Sequence, residues 1–329
     1  MPERWELRQM QSLPLAAKVS MTESRIREWV TEYGEDGVYV SFSGGKDSTV
    51  LLDIVRRMYS GIEAVFVNTG LEYPEIQQFV KTFDNVTILR PKMRFDDVIK
   101  KYGYPVISKD VSNKIYYARK GGDWAMRYVD GTAKMNNANK SKFCVEKYKP
   151  LLQTDFMCAD ACCAVMKKSP AKTFARKTGK KPITAQMAAE SKQRTTQWML
   201  KGCNAFESKN PISNPMSFWT EQDVLQYIKQ NGIPIASVYG DIVYKDDGKL
   251  YTTGCNRTGC IFCAFGCHLE KEPSRFQRLK QTHPRQYEYC MGGGGYDEDG
   301  IWKPSNDGLG MRHVFDELNK LYGDGFIKY

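Results

Sequence analysis

The stretch "VYVSFSGGKDSTVLLDIV", Val38 to Val55, constrains this chain more than any other. A β-rich run, Val38 to Phe42, meets a glycine turn and passes into Val50, Leu51, Ile54, Val55 and Met58 at helical spacing. "EAVFVNTG" reads as a second buried strand. Strand, helix and strand within this distance form a βαβ unit, which demands a parallel sheet with a right-handed crossover. "NVTILR" repeats the strand signal after a helical stretch from Pro74 to Phe83, and "KKPITAQ" offers another. The expected fold class is therefore α/β, a parallel sheet flanked by helices.

A turn that leaves the carboxyl end of a parallel strand and opens a helix presents unpaired N–H groups and the positive end of the helix dipole. Gly44 and Gly45 let the backbone approach a phosphate, Ser43 and Ser48 add hydroxyls, and Lys46 adds a point charge. Ser41, at the foot of the loop, joins this candidate set. The pattern is neither G-x-x-x-x-G-K-[ST] nor G-x-G-x-x-G. Asp47 would repel bare phosphate, so its presence suggests a bound Mg²⁺ or an orienting role toward backbone N–H groups. The plainer alternative is a helix-capping turn with Asp47 in the favourable first turn.

Around this unit the chain reads as three regions: a helical segment over 1–36 marked by Ile26, Trp29, Val30 and Tyr33, a nucleotide-binding α/β domain over 37–245, and a Cys-rich region over 246–329. Thr220 with Asp223 fits a capping box, Gly232 with Pro234 fits a helix stop, and Met311 to Tyr322 reads as a final helix. Lys109 to Lys149 is basic, aromatic and rich in Gly or Asn ("ARKGGDWAMRY", "KMNNANKSKF"), which reads as a mobile excursion rather than a core. Lys167 to Pro182 is almost purely basic, and its plain reading is a solvated face. Its place between the Cys-Cys pair and the strand expected to border the nucleotide, however, puts it near the active-site mouth, where the aromatic and basic segment Tyr116 to Tyr128 would add stacking platforms for a nucleic acid. A net charge of +10 favours polyanionic partners. The charged N-terminus and the lack of a long apolar run point to a cytoplasmic protein with no membrane partner.

Ten cysteines in such a chain suggest metal rather than disulfides. "TTGCNRTGCIFCAFGCH" holds Cys255, Cys260, Cys263 and Cys267, and "MCADACC" holds Cys158, Cys162 and Cys163. By local spacing alone, Cys255 to Cys267 could form a zinc knuckle or a [4Fe-4S] loop.

Ser43 to Ser48 resembles the PP-loop of the ATP pyrophosphatase superfamily. "VFVNTGLEYPEI" resembles the "DTG…FPET" segment of the phosphoadenosine phosphosulfate (PAPS) reductase family within it. "CCAVMKKSP" and "NPMSFWTEQDVLQYIKQNGIP" extend the likeness over most of residues 38 to 267. The resemblance implies an adenine nucleotide above the carboxyl ends of the strands, with Asn68, Thr69 and Gly70 close to the adenosine. It also implies a [4Fe-4S] cluster on Cys162, Cys163, Cys260 and Cys263, with zinc as the alternative. Cys255 and Cys267 then become spare thiols, alternative ligands or sulfur carriers, and Cys144, Cys203 and Cys290 structural ones.

Two departures narrow the function. Where the reductases carry "TGLRR..S..R", this chain has "ITAQMAAESKQR": Met187 and Ala188 replace the arginines, while Ser191 and Arg194 are kept as nucleotide-binding candidates. The nucleophilic "ECG(L/I)H" motif has no counterpart, and "YEYCMGGGG" lacks the histidine. "RTGCIFC" resembles the "RFGC..C" segment of the DNA phosphorothioation protein, whose relatives, the tRNA thiolation enzymes among them, use ATP. The resemblance therefore implies an iron-sulfur sulfurtransferase that adenylates its acceptor with release of pyrophosphate. ATP, Mg²⁺ and the cluster are its cofactors, Lys46 and Asp47 its catalytic residues, tRNA or DNA a candidate acceptor, and a cysteine desulfurase a candidate sulfur donor. Two alternatives stay open: a PAPS or adenylyl-sulfate reductase forming sulfite, and a non-catalytic nucleotide-sensing or nucleic-acid-binding component. His268, His283 and His313 fall in no motif, so general base catalysis by histidine is not expected.

Overall fold

Val38–Ser41 (β1) pairs in parallel with Ala64–Val67 (β2) on one side and with Lys181–Ile183 on the other. The chain is described by a computed structural model covering residues 3–135 and 139–329. Val86–Leu89 (β3) extends the sheet beyond β2, and Ile212–Ser213 and Asn204–Ala205 extend it beyond Lys181–Ile183. Every pairing is parallel except that of the last two strands. Val38, Tyr39 and Val40 are all buried, as expected for a central parallel strand covered on both faces. The chain runs outward from β1 in one direction through β2 and β3 and later in the other through Lys181–Ile183. The carboxyl end of β1 is thus the topological switch point at which open α/β sheets bind ligands.

This sheet belongs to the first of two compact units, made of Met1–Asn68, Glu72–Arg90 and Pro170–Gly259. The helix Lys46–Met58 buries Val50, Leu51, Leu52, Ile54 and Val55. The helix Glu221–Asn231 starts at the expected Thr220–Asp223 capping box and stops at Gly232, whose φ of 61° needs the conformational freedom of glycine. The N-terminal helix Leu15–Tyr33 is fastened to it: Lys18 Nζ lies 2.7 Å from Asp223 Oδ2, both largely buried, and Trp219 Nε1 donates to Thr22 Oγ1 at 2.9 Å. The 1–36 segment therefore shares the core of the sheet-bearing unit, apart from Met1 and Pro2, which lie outside the described residues.

The second unit comprises Thr69–Leu71, Pro91–Ser169 and Cys260–Tyr329. Val106–Ile107 pairs in parallel with Ala264–Phe265. Around this pair lie the helices Phe95–Tyr102, Lys109–Arg119, Arg275–Thr282, Pro284–Met291 and Met311–Tyr322. The last has the limits expected from sequence.

The reading of Lys109 to Lys149 as an excursion without a core is corrected here. Lys109–Arg119 and Asp123–Val129 are helices, and Val111, Ile115, Ala118, Ala125 and Val129 are buried. Asn136, Asn137 and Ala138 of "KMNNANKSKF" lie outside the described residues. The basic run after Cys163 is likewise structured: Ser169–Thr178 is helical, and Phe174 packs edge-on against Tyr39 at 5.2 Å. Among the described residues, no helix is long and apolar enough to cross a membrane.

Candidate nucleotide loop and thiol cavity

The glycine loop is held by its own side chains. Ser43 N–H donates to Ser48 Oγ at 3.1 Å, and Ser48 Oγ donates to the Gly45 carbonyl at 2.9 Å. The two serine hydroxyls lie 3.0 Å apart. Gly44 has a φ of +72°, and a Cβ there would meet Val80 Cγ2 at 2.7 Å and Ile76 Cγ2 at 2.9 Å, so glycine is required twice over. Ser41 is exposed at the end of β1.

Lys46 is only 3% exposed, and its ammonium sits 3.1 Å from Asp47 Oδ1 and 3.3 Å from Glu221 Oε1. Burial alone would lower its pKa; the two carboxylates outweigh that and the net shift is upward, so Lys46 keeps its charge. Asp47 stays partly open to solvent, with 28% of its side chain exposed.

Several contacts here were not anticipated from sequence. Tyr239 Oη accepts the backbone N–H of Lys46 at 3.2 Å and lies 2.7 Å from Thr258 Oγ1. The hairpin Ile242–Tyr244 and Leu250–Thr252 returns the chain so that Gly254 and Cys255 N–H donate to the Tyr239 and Val238 carbonyls, both at 2.9 Å. A Cβ on Gly254 would stand 2.4 Å from the Val238 oxygen, so only glycine permits this approach. Ser191 caps the helix Lys192–Lys201 by accepting from Arg194 N–H at 3.3 Å. The Arg194 guanidinium pairs with Glu190, whose other oxygen takes Arg257 Nη2 at 3.1 Å. Burial, then repulsion by Arg257, lowers the Arg194 pKa, while Asp47 opposes the shift. Met187 and Ala188 are buried beside them.

Asn68 directly follows β2 in this unit, and its N–H donates to the Leu89 carbonyl at 2.9 Å. Thr69 and Gly70 fall in the second unit, where Thr69 Oγ1 accepts Leu71 N–H at 3.2 Å.

In the second unit, Cys162, Cys163, Cys260 and Cys263 line one cavity with Leu71, Phe95, Pro105, Met166 and Lys167. Cys162 and Cys163 sit on a single helical turn, Ala161–Cys163, that continues into a π-helical turn, Ala164–Lys168. A hydrogen bond from Cys162, then the charges of Lys109 and Lys167, lower the pKa of the Cys163 thiol against the effect of burial. Cys162, as the donor of that bond, is pushed up. Arg275 Nη1 donates to the Cys263 carbonyl at 2.7 Å and is itself fixed by Glu270. Beside this site Ile107 has a φ of 61°, a left-handed conformation that costs a β-branched residue about 1–3 kcal/mol. Gly266 N–H donates to its carbonyl at 2.8 Å.

Cys255 and Cys267 are not among the cavity's lining residues; Cys255 lies in the first unit and Cys267 is buried. Among the described residues, no three His, Cys, Asp or Glu side chains form a group that could hold one metal ion.

The phosphoadenosine phosphosulfate reductase domain model matches residues 37–110 and 126–265. The chain belongs to this family. The PAPS reductase domain matched here contains the glycine loop, the turn after β2 and all four cysteines of the cavity, and nucleotide binding is the property that this family supports. An uncharacterized protein of Methanocaldococcus jannaschii is 23% identical over 283 residues, covering 81% of this chain. The chain spans about half the length of that curated relative, 51%. Among solved structures, the phosphate complex of phosphoadenylyl-sulfate (PAPS) reductase from Candida auris has a TM-score of 0.40 at 15% identity, with 79% of this chain and 98% of that chain covered.

Proposed function

We propose that this PAPS reductase-family chain is an ATP-dependent sulfurtransferase. An acceptor oxygen attacks the α-phosphorus of ATP and releases pyrophosphate; hydrosulfide from a sulfide source then attacks the adenylated centre and expels AMP, which carries away the former acceptor oxygen and leaves sulfur in its place. The observation that carries this reading is the Lys46–Asp47 pair at the head of the loop: a buried cation beside a part-exposed carboxylate.

Lys46 and the loop amides favour charge developing on the leaving pyrophosphate. Asp47 fits Mg²⁺, which is commonly held by one carboxylate together with substrate phosphates and would neutralise that charge. Met187 and Ala188, buried and apolar, offer nothing to a second anionic group. Cys290, the cysteine of the C-terminal glycine-rich stretch, is fully buried and its thiol pushed up by burial, which suits packing rather than attack on a sulfonucleotide.

Cys162, Cys163, Cys260 and Cys263, which line one cavity, are the residues that would hold an iron-sulfur cluster, and the cationic side chains of Lys109 and Lys167 would offset thiolate charge there. When bound, the cluster would supply electrons or sulfur.

The test is pyrophosphate release from MgATP by protein purified without oxygen, with a sulfide source and candidate acceptors. Release that disappears in Asp47→Ala while iron content is unchanged supports the reading. Sulfite formation from PAPS with a thiol donor, and no pyrophosphate from ATP, replaces it with a reductase.

A further inference from the structure

Between Lys109 and Lys149 the chain carries ten Lys or Arg against four Asp or Glu. Three of those acids are engaged: Asp110 by Lys114, Asp130 by Lys149 and Glu146 by Lys140, at 2.5, 2.6 and 2.5 Å. The same segment presents a continuous run of rings. Tyr116 meets Tyr117 at 5.4 Å, Tyr117 meets Trp124 at 5.5 Å, and Trp124 meets Tyr128 at 6.3 Å between centroids. Lys114 Nζ lies over both Tyr128 and Phe143, at 4.7 and 5.9 Å, and so joins Phe143 to the run. Tyr117, Trp124 and Phe143 are 44%, 42% and 54% exposed. Lys120 sits over Tyr116 at 4.7 Å and Lys142 over Phe143 at 5.4 Å.

Single exposed aromatics need no explanation, but a contiguous set does. A protein partner would favour a patch depleted in lysine. Rings interleaved with lysines match the two needs of a nucleic acid strand, a face for the base and a cation for the phosphate. Paired bases offer no free face, so the strand must be unpaired.

We infer that the face formed by Tyr117, Trp124 and Phe143, with Lys120 and Lys142, binds unpaired nucleotides of a nucleic acid by base stacking. This names the acceptor class of the proposed sulfurtransferase and rests on that reading only for the chemistry that follows binding.

The experiment is fluorescence anisotropy of labelled 12-nucleotide RNA and DNA single strands and the corresponding duplexes, titrated with the full chain without ATP. A single strand binds more tightly than its duplex, and the better-bound sugar identifies the source as RNA or DNA. Tyr117→Ala with Trp124→Ala lowers the affinity by roughly tenfold or more, while Tyr117→Phe with Trp124→Phe keeps it. Replacing Lys120 and Lys142 by Gln lowers the slope of log affinity against log salt by about 0.7 for each phosphate that is no longer neutralised.

These rings are exposed, so the alanine variants are expected to fold, and circular dichroism checks it. Equal affinity of wild type and the alanine variant, tighter binding of duplexes, or no binding of either strand overturns the inference. Because ATP is absent, binding without later pyrophosphate release refutes the sulfurtransferase reading alone, and pyrophosphate release with a different acceptor and no strand binding refutes this inference alone.

Discussion

Tyr239 Oη accepts the backbone N–H of Lys46 at 3.2 Å, across 193 residues of sequence. Both residues are buried. Tyr239→Phe leaves this N–H without its acceptor and the Thr258 hydroxyl without its partner, a loss of about 1–3 kcal/mol for a buried group left unsatisfied. Urea unfolding should show that loss. Saturating nucleotide should recover part of it, since a phosphate can take the freed N–H.

Lys46→Met removes the cation while roughly keeping the length of the side chain. If Lys46 acts on the leaving pyrophosphate, release should fall by about 10²–10³-fold, the usual effect of deleting one donor to a developing charge. Glu221→Gln leaves Asp47 as the Lys46 partner and should cost far less. Single-turnover release of radiolabelled pyrophosphate separates the two.

Arg194 and Arg257 share the carboxylate of Glu190. An anionic ligand can compete for either guanidinium, so Arg194→Ala and Arg257→Ala should each weaken nucleotide binding by roughly tenfold, at the lower end of charge-assisted bonds. Calorimetry of each variant checks this. Unchanged affinity in both would leave the pair a purely structural brace.

Glu63, next to the start of β2, is tied to Lys180 at 2.7 Å, just before Lys181–Ile183, and to Thr87 in β3. Burial raises its pKa, but the bonds from Lys180 and Thr87 and the lysine charge outweigh it, and the net shift is below the ordinary 4.5. A depressed acid stabilises the fold fully above its unfolded value and loses that contribution as pH falls through its folded value. Glu63→Gln should therefore be less stable than wild type near neutral pH, with the difference shrinking below about pH 4.5. Thermal melts across this range test the sign.

The glycine loop was legible because everything that makes it is local: an apolar strand, two glycines and a helix at 3.6-residue spacing. The Thr220–Asp223 box and Gly232 were legible for the same reason. Tyr239, Thr258, Glu190 and Arg257 were not, because they reach their places through the hairpin and through sheet order, which no local pattern encodes. Lys109 to Lys149 misled through composition. Val111, Ile115 and Ala118 stand at helical spacing, but the lysines, tyrosines and glycines between them hid a buried face, and Lys114 itself is buried.

The cysteine cavity shows the limit from the other side. Spacing alone grouped Cys255 to Cys267, whereas the fold brings Cys260 and Cys263 to one cavity with Cys162 and Cys163, a juxtaposition first suggested by family resemblance. Separate Cys162→Ser and Cys263→Ser changes should each deplete iron in anaerobically purified protein, while Cys255→Ser should not. Equal iron in all three would remove the cavity from consideration as a cluster site.

Calorimetric titration of anaerobically purified protein with MgATP and, separately, with PAPS tests the central claim most directly. The account predicts that MgATP binds more tightly, with Asp47 holding its metal and the apolar Met187 and Ala188 leaving the sulfonucleotide short of partners. Tighter binding of PAPS would contradict it and return the chain to the reductases.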